Sequence, residues 1–252
     1  MLCTTPFWRD DSPRPDDLPV SDLPTAVDVA VVGSGVTGLN AARAMVRAGL
    51  SVAVLDSGEV GAGASTVNGG MLNYGLKAST AKVLKRYGPT LGREFWDASL
   101  ASIDYVEDLV ATENIDCFFE RNGAAELGYR TQNLEEFREE AEWMRTEFGF
   151  ETEVVPNKDI TGVVDSDEFH CALVDPAGAG LHPARYVYGL ARRVGEAGAS
   201  IVEHAEALNI AKHTAGYQVL TSKGKVSAGQ VLLATNGYTG TRPLPALRRR
   251  VV

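Results

Sequence analysis

The chain has 252 residues, 44% of them hydrophobic, enough apolar content for a large buried core in one or two domains. Its 24 basic residues against 33 acidic ones give a net charge of −9, which argues against nucleic acid or an anionic membrane surface as the main partner. No apolar run approaches the roughly 18 residues that cross a bilayer, the start MLCTTPFWRDDSPRPDDLP lacks a secretory pattern, and Cys3, Cys117 and Cys171 form neither C-x-x-C nor a metal-ligand spacing, so a cytoplasmic protein with reduced thiols and no metal is expected.

Residues 9–24 carry prolines at 13, 15, 19 and 24 among acids and serines, and 1–26 are expected to form an irregular arm over the surface, outside the core. The β-branched run Asp28 to Val32 then reads as a buried parallel strand and leads directly into Gly33, Gly35 and Gly38, a G-x-G-x-x-G. The first glycine permits a tight turn, the second lets backbone approach a pyrophosphate, and the third lets helix pack close on strand. A helix from Thr37 to Arg47 would aim its N-terminal amides and the positive end of its dipole at that phosphate. Gly49 ends it. A strand Ser51 to Leu55 follows and closes on Asp56, placed where an acid accepts ribose hydroxyls.

Residues 57–71, SGEVGAGASTVNGGM, are too rich in glycine for a helix or a regular strand. They can bring backbone amides and small side chains, Ser65 and Asn68-Gly69-Gly70 among them, close to a ligand; a flexible linker is the alternative. From Thr80 the pattern is helical, with Pro89 suited to a first turn and Trp96, Leu100, Ile103, Val106 and Val110 at three- and four-residue steps. CFFERNGAAELGY at 117–129 reads as a hairpin turning at Asn122-Gly123. A second amphipathic helix aligns Leu134, Phe137, Ala141, Met144 and Phe148, an aromatic stripe that reads as core packing. Val154-Val155 and Cys171 to Val174 are short strands.

A further helix begins at Pro183 and stops at Gly198, with His182 beside its start as a capping or packed residue, since no catalytic partner for it is identifiable. Ser200 to Val202 is a strand. Ala207–Ile210, Tyr217–Thr221 and Lys225–Val226 read as a meander turning at Lys223-Gly224, and Val231 to Thr235 as a separate buried strand before Asn236-Gly237. Crossover rules return the later strands to the first sheet. The expected organisation is a discontinuous nucleotide domain over 27–79 and 175–240, an inserted α+β domain over 80–174, and the start of a continuation over 241–252.

At these residues the chain resembles the D-amino-acid-oxidase-like FAD-dependent oxidoreductases, most of all the branch with gamma-glutamylputrescine oxidases, with glycine and sarcosine oxidases further away. The matching segments are FWRD at 7–10, VVGSGVTGL at 31–39, VGAGASTVNGGM at 60–71, LHPARYVYGLA at 181–191 and LLATNGYTG at 232–240, followed by RRRVV. The resemblance implies an α/β fold: a Rossmann-type FAD-binding domain of parallel sheet, helices and β-meander, with an inserted α+β substrate domain. It implies FAD as cofactor, with Gly33, Gly35, Val36, Thr37 and Gly38 at the pyrophosphate and Asp56, where the family more often has Glu, at the adenosine ribose. Ser57, Ala64, Ser65, Asn68, Gly69, Gly70 and Met71 would lie along the pyrophosphate and flavin ring. Ala207 would meet the adenine by its backbone, and Ala234, Thr235 and Asn236 would close over the ribityl chain. Ala207 and Ala234 as small core positions, and Asn236-Gly237 as a plain turn, are the alternatives.

The implied reaction is oxidation of a C–N bond in an amine or amino acid, a gamma-glutamylputrescine-, glycine- or sarcosine-like substrate, to an imine, with hydride passing to the flavin and electrons then to oxygen or another acceptor. No catalytic acid, base or nucleophile is identified. Family members continue beyond Val251-Val252 through the rest of the substrate domain and a further Gly-rich segment, so the chain reads as an N-terminal portion. A missing C-terminal half or a separate chain would complete the flavin site. A nucleotide-binding remnant that is inactive alone and an NAD(P)-dependent dehydrogenase are the rival readings.

Overall fold

The computed structural model describes residues 4–240. Cys3, Arg248 to Arg250, Val251-Val252 and the continuation expected over 241–252 lie outside the described residues. The chain divides into two compact units, the first made of the described parts of Met1–Gly69, Glu113–Cys117 and His182–Val252, the second of Gly70–Thr112 and Phe118–Leu181. The divisions fall at 69/70 and 181/182, where residues 80 and 174 were expected. Within the second unit, β3 (Met71–Leu72) pairs with β7 (Ala179–Gly180) and ties 70–79 to 175–181. Within the first, Glu113 accepts from Arg43 Nε at 2.7 Å, and its carbonyl accepts from Arg193 Nε at 2.7 Å, which fastens the short segment 113–117 there.

In the first unit, β1 (Ala26–Val32), α2 (Val36–Arg47) and β2 (Val52–Leu55) form the expected βαβ, following a short helix α1 (Phe7–Asp11). After α5 (Pro183–Glu196), β8 (Ser200–Val202) joins β2 in parallel, and β9 (Ala207–His213), β10 (Gly216–Thr221) and β11 (Gly224–Leu233) complete one sheet in the order β8-β2-β1-β11-β10-β9. Every strand from β8 to β11 in that order is parallel, and β10 and β9 are antiparallel additions. The small apolar residues Ala30, Val32, Ala53, Leu55, Val202, Val219, Val226 and Ala228 pack as one core on this sheet. Side chains alternate along a strand, so one sheet face draws on every second residue of β1, β2 and β11.

Two sequence expectations change here. Lys225–Val226 and Val231 to Thr235 are not separate strands: β11 runs unbroken, pairing with β10 through Gly224–Ala228 and with β1 through Ser227–Leu233. One strand serves both neighbours because its ladder partners occupy different lengths of it. Among the described residues, 229–233 has a partner on the β1 side alone, so Val231 to Leu233 are half-buried where a buried strand was expected. The N-terminal arm is also not irregular throughout, since α1 is helical, Leu18 is buried and Val20 bridges Ile201 in parallel.

In the second unit, α3 (Thr80–Thr112) is broken at Gly88, which has φ 82°, and Pro89 opens its second segment. β4 (Ala124–Gly128), β6 (Cys171–Asp175) and β5 (Glu153–Pro156) form an antiparallel sheet, and α4 (Asn133–Phe148) ends on Gly149 in the left-handed region. Trp96, Met144 and Phe148 form a core with Tyr74, Trp143 and Phe150 against them, so the aromatic stripe is packing. The hairpin expected at Asn122-Gly123 is absent. β4 pairs with β6 throughout, while Glu120 bridges Gly180 and Gly123 N donates to the Gly178 carbonyl. Gly123 takes the positive φ of 79° that such a dipeptide favours, but residues 121–123 form no turn, and β6 takes the ladder, pairing Ala124 with Asp175 and Gly128 with Cys171.

Candidate functional site

The glycine turn is built by close approach. Gly33 has φ 110°, its N–H donates to the Leu55 carbonyl at 2.8 Å, and a Cβ there would lie 2.6 Å from the Ala234 carbonyl oxygen. A Cβ on Gly38 would overlap the Gly33 carbonyl oxygen. Both positions are closed by backbone that cannot yield, so only glycine fits. Gly35 differs, because a Cβ there would meet the Ser65 hydroxyl, 2.8 Å away, and no backbone. Gly35 is also the N-cap of α2 and has no side chain to cap with. Ser65 replaces it, its hydroxyl accepting from Val36 N–H at 3.1 Å.

Asp56 sits at the end of β2, half-buried, with its carboxylate already engaged. One oxygen accepts from Ser34 N–H at 2.7 Å and from the Ser34 hydroxyl at 2.6 Å; the other accepts from Gly58 N–H at 3.0 Å. Its carbonyl receives Ala205 N–H at 2.6 Å. The acid therefore fastens the glycine turn to the loop after β2. A carboxylate has about four lone-pair sites, so three bonds leave it acceptor capacity toward the cavity.

The segment after Asp56 is folded, not a linker. Residues Ala64–Thr66 make a 3-10 turn, the fully buried Thr66 hydroxyl donates to the Gly61 carbonyl at 2.6 Å, and Asn68 Nδ2 donates to the carbonyls of Ala64 and Ser65.

Together these elements wall a cavity of about 560 Å³ in the first unit. Of the residues expected to hold a cofactor, Gly33, Gly35, Asp56, Ser57, Ala64, Ser65, Ala207, Ala234, Thr235 and Asn236 line it. Val36, Thr37 and Gly38 form the first turn of α2 and are not among the lining residues; Asn68 and Gly69 follow the lining part of the loop; Gly70 and Met71 belong to the second unit. Ala207 is at once cavity wall and buried core. Asn236, at φ 45°, opens a 3-10 turn and lines the cavity, where Thr235 and Thr239 share a hydroxyl hydrogen bond of 2.6 Å.

Ser34, Glu206 and Tyr238 line the same space without having been singled out from sequence. Ser34 is the second residue of the glycine motif, and its partnership with Asp56 was available as a signal. Tyr238 carried none. His182 is the N-cap of α5, its Nδ1 accepting from Arg185 N–H at 3.3 Å and its Nε2 lying 3.1 Å from Asp11 Oδ2, so its role is capping. Among the described residues no group of His, Cys, Asp or Glu side chains is arranged to hold a metal, and no helix is long and apolar enough to cross a membrane.

Comparison with known proteins places this geometry. The family profile described as FAD dependent oxidoreductase matches residues 28–252. Gamma-glutamylputrescine oxidoreductase of Escherichia coli is 30% identical over 223 residues, covering 88% of this chain and 52% of the relative. The probable oxidoreductase OrdL of Rhizobium meliloti is 28% identical over 224 residues, again covering 88% of this chain and 52% of the relative. The chain thus spans about half the length of these curated relatives. Among solved structures, glycine oxidase from Geobacillus kaustophilus superposes with a TM-score of 0.70 at 22% identity, covering 85% of this chain and 56% of that one, a likeness of fold.

Proposed function

This chain belongs to the FAD-dependent oxidoreductase family, and from that premise we propose that the protein carrying it oxidises a C–N bond of an amine or amino acid. The observation that carries the reading is the cavity itself, walled by the glycine turn, the acid after β2 and the folded loop beyond it. These residues fit the adenosine diphosphate half of FAD. Gly33, Gly35, Gly58, Gly61, Gly63, Ala62, Ala64, Ala207 and Ala234 put backbone, not bulk, against the space, and 560 Å³ lies within the usual range of about 300–1,000 Å³ for small-molecule sites.

In this reading Gly33, Gly35 and the first turn of α2, Val36 to Gly38, face the pyrophosphate, where the helix N-terminus favours negative charge. Asp56 accepts from the adenosine ribose with the lone pairs that Ser34 and Gly58 leave. Ser57, Ala64 and Ser65 border the pyrophosphate, and Asn68, Gly69, Gly70 and Met71 lead toward the flavin ring. Ala207 offers backbone to the adenine, and Ala234, Thr235 and Asn236 cover the ribityl chain. The bound flavin supplies the redox chemistry by accepting a hydride from the carbon that bears nitrogen.

A gamma-glutamylputrescine-like secondary or primary amine is the substrate class we favour, supported by the 30% identity to the Escherichia coli enzyme; glycine and sarcosine are the smaller alternatives. The test is reconstitution of the protein with FAD, followed by anaerobic bleaching of the flavin absorbance with a panel of amines and amino acids. Bleaching by one class of amine is expected. A protein that takes up no FAD, or a flavin that no amine bleaches, overturns the reading.

A further inference from the structure

The cavity wall after Asp56 depends on contacts that come from the N-terminal arm, residues that precede it in the chain by 52 to 60 positions. Residues 57–69 contain only the three-residue turn Ala64–Thr66 as regular structure, and a glycine-rich segment loses more conformational freedom on ordering than any other kind. Something outside the loop must hold it. Trp8 Nε1 donates to the Asn68 carbonyl at 2.7 Å. Arg9 Nε donates to the Thr66 hydroxyl at 2.9 Å, and the same guanidinium donates to the Gly61 carbonyl, to which Thr66 also donates. Arg14 grips Glu203 with both carboxylate oxygens at 2.8 Å, while one of those oxygens accepts from Val60 N–H at 2.7 Å.

The other end of the arm is fastened as well. Asp17 pairs with Arg192 at 2.7 Å, Ser21 N–H donates to the Ile201 carbonyl at 2.8 Å, and Pro19 lies so close to Gly195 that a Cβ there would strike it. Trp8 packs edge-on to His182, 4.7 Å between ring centres, and Asp11 meets the same imidazole. An arm pinned at both ends touches the loop at 61, 66 and 68 and reaches Val60 through Glu203, while Ser65 between them holds the first amide of α2.

We infer that the N-terminal arm is a strap that sets the position of the cavity wall 57–68, with Arg9 as its positioning residue. Arg9 is not among the residues lining the cavity, so it acts through Gly61 and Thr66 and not by touching the ligand. Its planar fork satisfies two acceptors at once, a geometry that lysine cannot copy. Two charge-assisted bonds from one guanidinium join Gly61 and Thr66 at a single point of the loop. The identity of the ligand rests on the reading under Proposed function; the strap itself does not.

The experiment compares parent, Arg9→Ala, Arg9→Lys and Trp8→Phe, with Arg47→Ala as an exposed loss of the same charge. Hydrogen exchange of the protein without ligand reads the strap directly, and FAD titration reads its consequence. Arg9→Ala is expected to speed exchange across 60–68 and to raise the FAD Kd by about tenfold or more, the scale of a charged hydrogen bond. Arg9→Lys should recover only part of that, Trp8→Phe should shift both readouts in the same direction by a smaller factor, and Arg47→Ala should shift neither. Unchanged exchange over 60–68 in Arg9→Ala, or in Trp8→Phe should Arg9→Ala fail to fold, overturns the strap. So does full recovery of FAD affinity by Arg9→Lys, which would mark a simple charge effect. A parent that takes up no FAD would overturn the function proposed above, and loop exchange would still decide the strap.

Discussion

Removing the Asp56 carboxylate should damage the protein twice, once in the fold and once in the cofactor site, and the two losses can be separated. In Asp56→Ala the buried Ser34 N–H, the Ser34 hydroxyl and Gly58 N–H all lose their acceptor. Hydrogen bonds to a charged group contribute about 1.5–3 kcal/mol each. Three such bonds do not add fully when they share one carboxylate, and the half-buried site lets water replace part of what is lost, so a net destabilisation of about 3 kcal/mol is expected. Loss of the proposed ribose acceptor should cost a further 1.5–3 kcal/mol in binding, or roughly 10- to 150-fold in FAD Kd. Ser34→Ala is the control: it removes one of these bonds, about 1.5 kcal/mol at the lower end of that range, and leaves the carboxylate free to meet the ribose. Urea unfolding of the ligand-free protein and equilibrium FAD titration of both variants give the four numbers. If Ser34→Ala weakens FAD as much as Asp56→Ala, the acid acts only through the loop; if Asp56→Ala unfolds and binds like the parent, the whole account of this residue is wrong.

Gly35→Val should stay folded by circular dichroism, because its Cβ meets only the movable Ser65 hydroxyl, yet lose FAD binding; a folded variant with parental affinity would contradict the turn's assignment. Gly33→Ala should behave oppositely and lose at least about 2 kcal/mol of stability from the strained φ and the backbone overlap, which thermal unfolding would show. His182→Ala should remove the α5 N-cap and cost about 1 kcal/mol, read by urea unfolding, while leaving the pH profile of turnover unaltered; a changed profile would give His182 a part in the chemistry. Cys171 is buried, and burial together with the nearby Glu136 charge holds its thiol above the usual range. Peptide mapping after alkylation at neutral pH should find Cys171 unmodified in the folded protein and modified in denaturant; equal labelling in both would refute its burial.

The sequence by itself determined the nucleotide fold, because the evidence for it is local. Strand, three glycines, helix and acid lie within thirty residues, and Gly38 is demanded by the Gly33 carbonyl inside the motif itself, whereas Gly33 is crowded by Ala234 and Gly35 by the Ser65 hydroxyl. Two helix ends were legible for the same reason: Gly49 and Gly198 take up positive φ where helical periodicity stops. Tertiary structure decided what local patterns cannot carry. Asn122-Gly123 is a turn signal that made no turn, because strand pairing is settled by which ladder is available, and β6 supplied it. β11 looked like two strands because its burial changes where one neighbour ends and the other continues. Asp56 lies beside the glycine turn; its bond to Gly58 N–H is local, two residues on, whereas its bonds to Ser34 exist only once β1 and β2 lie side by side. The arm was least legible of all. Prolines and charges mark a chain segment as irregular and exposed, but Arg9 meets Thr66 across 57 residues and Arg14 meets Glu203 across 189, and contacts at that separation leave no periodicity in a sequence.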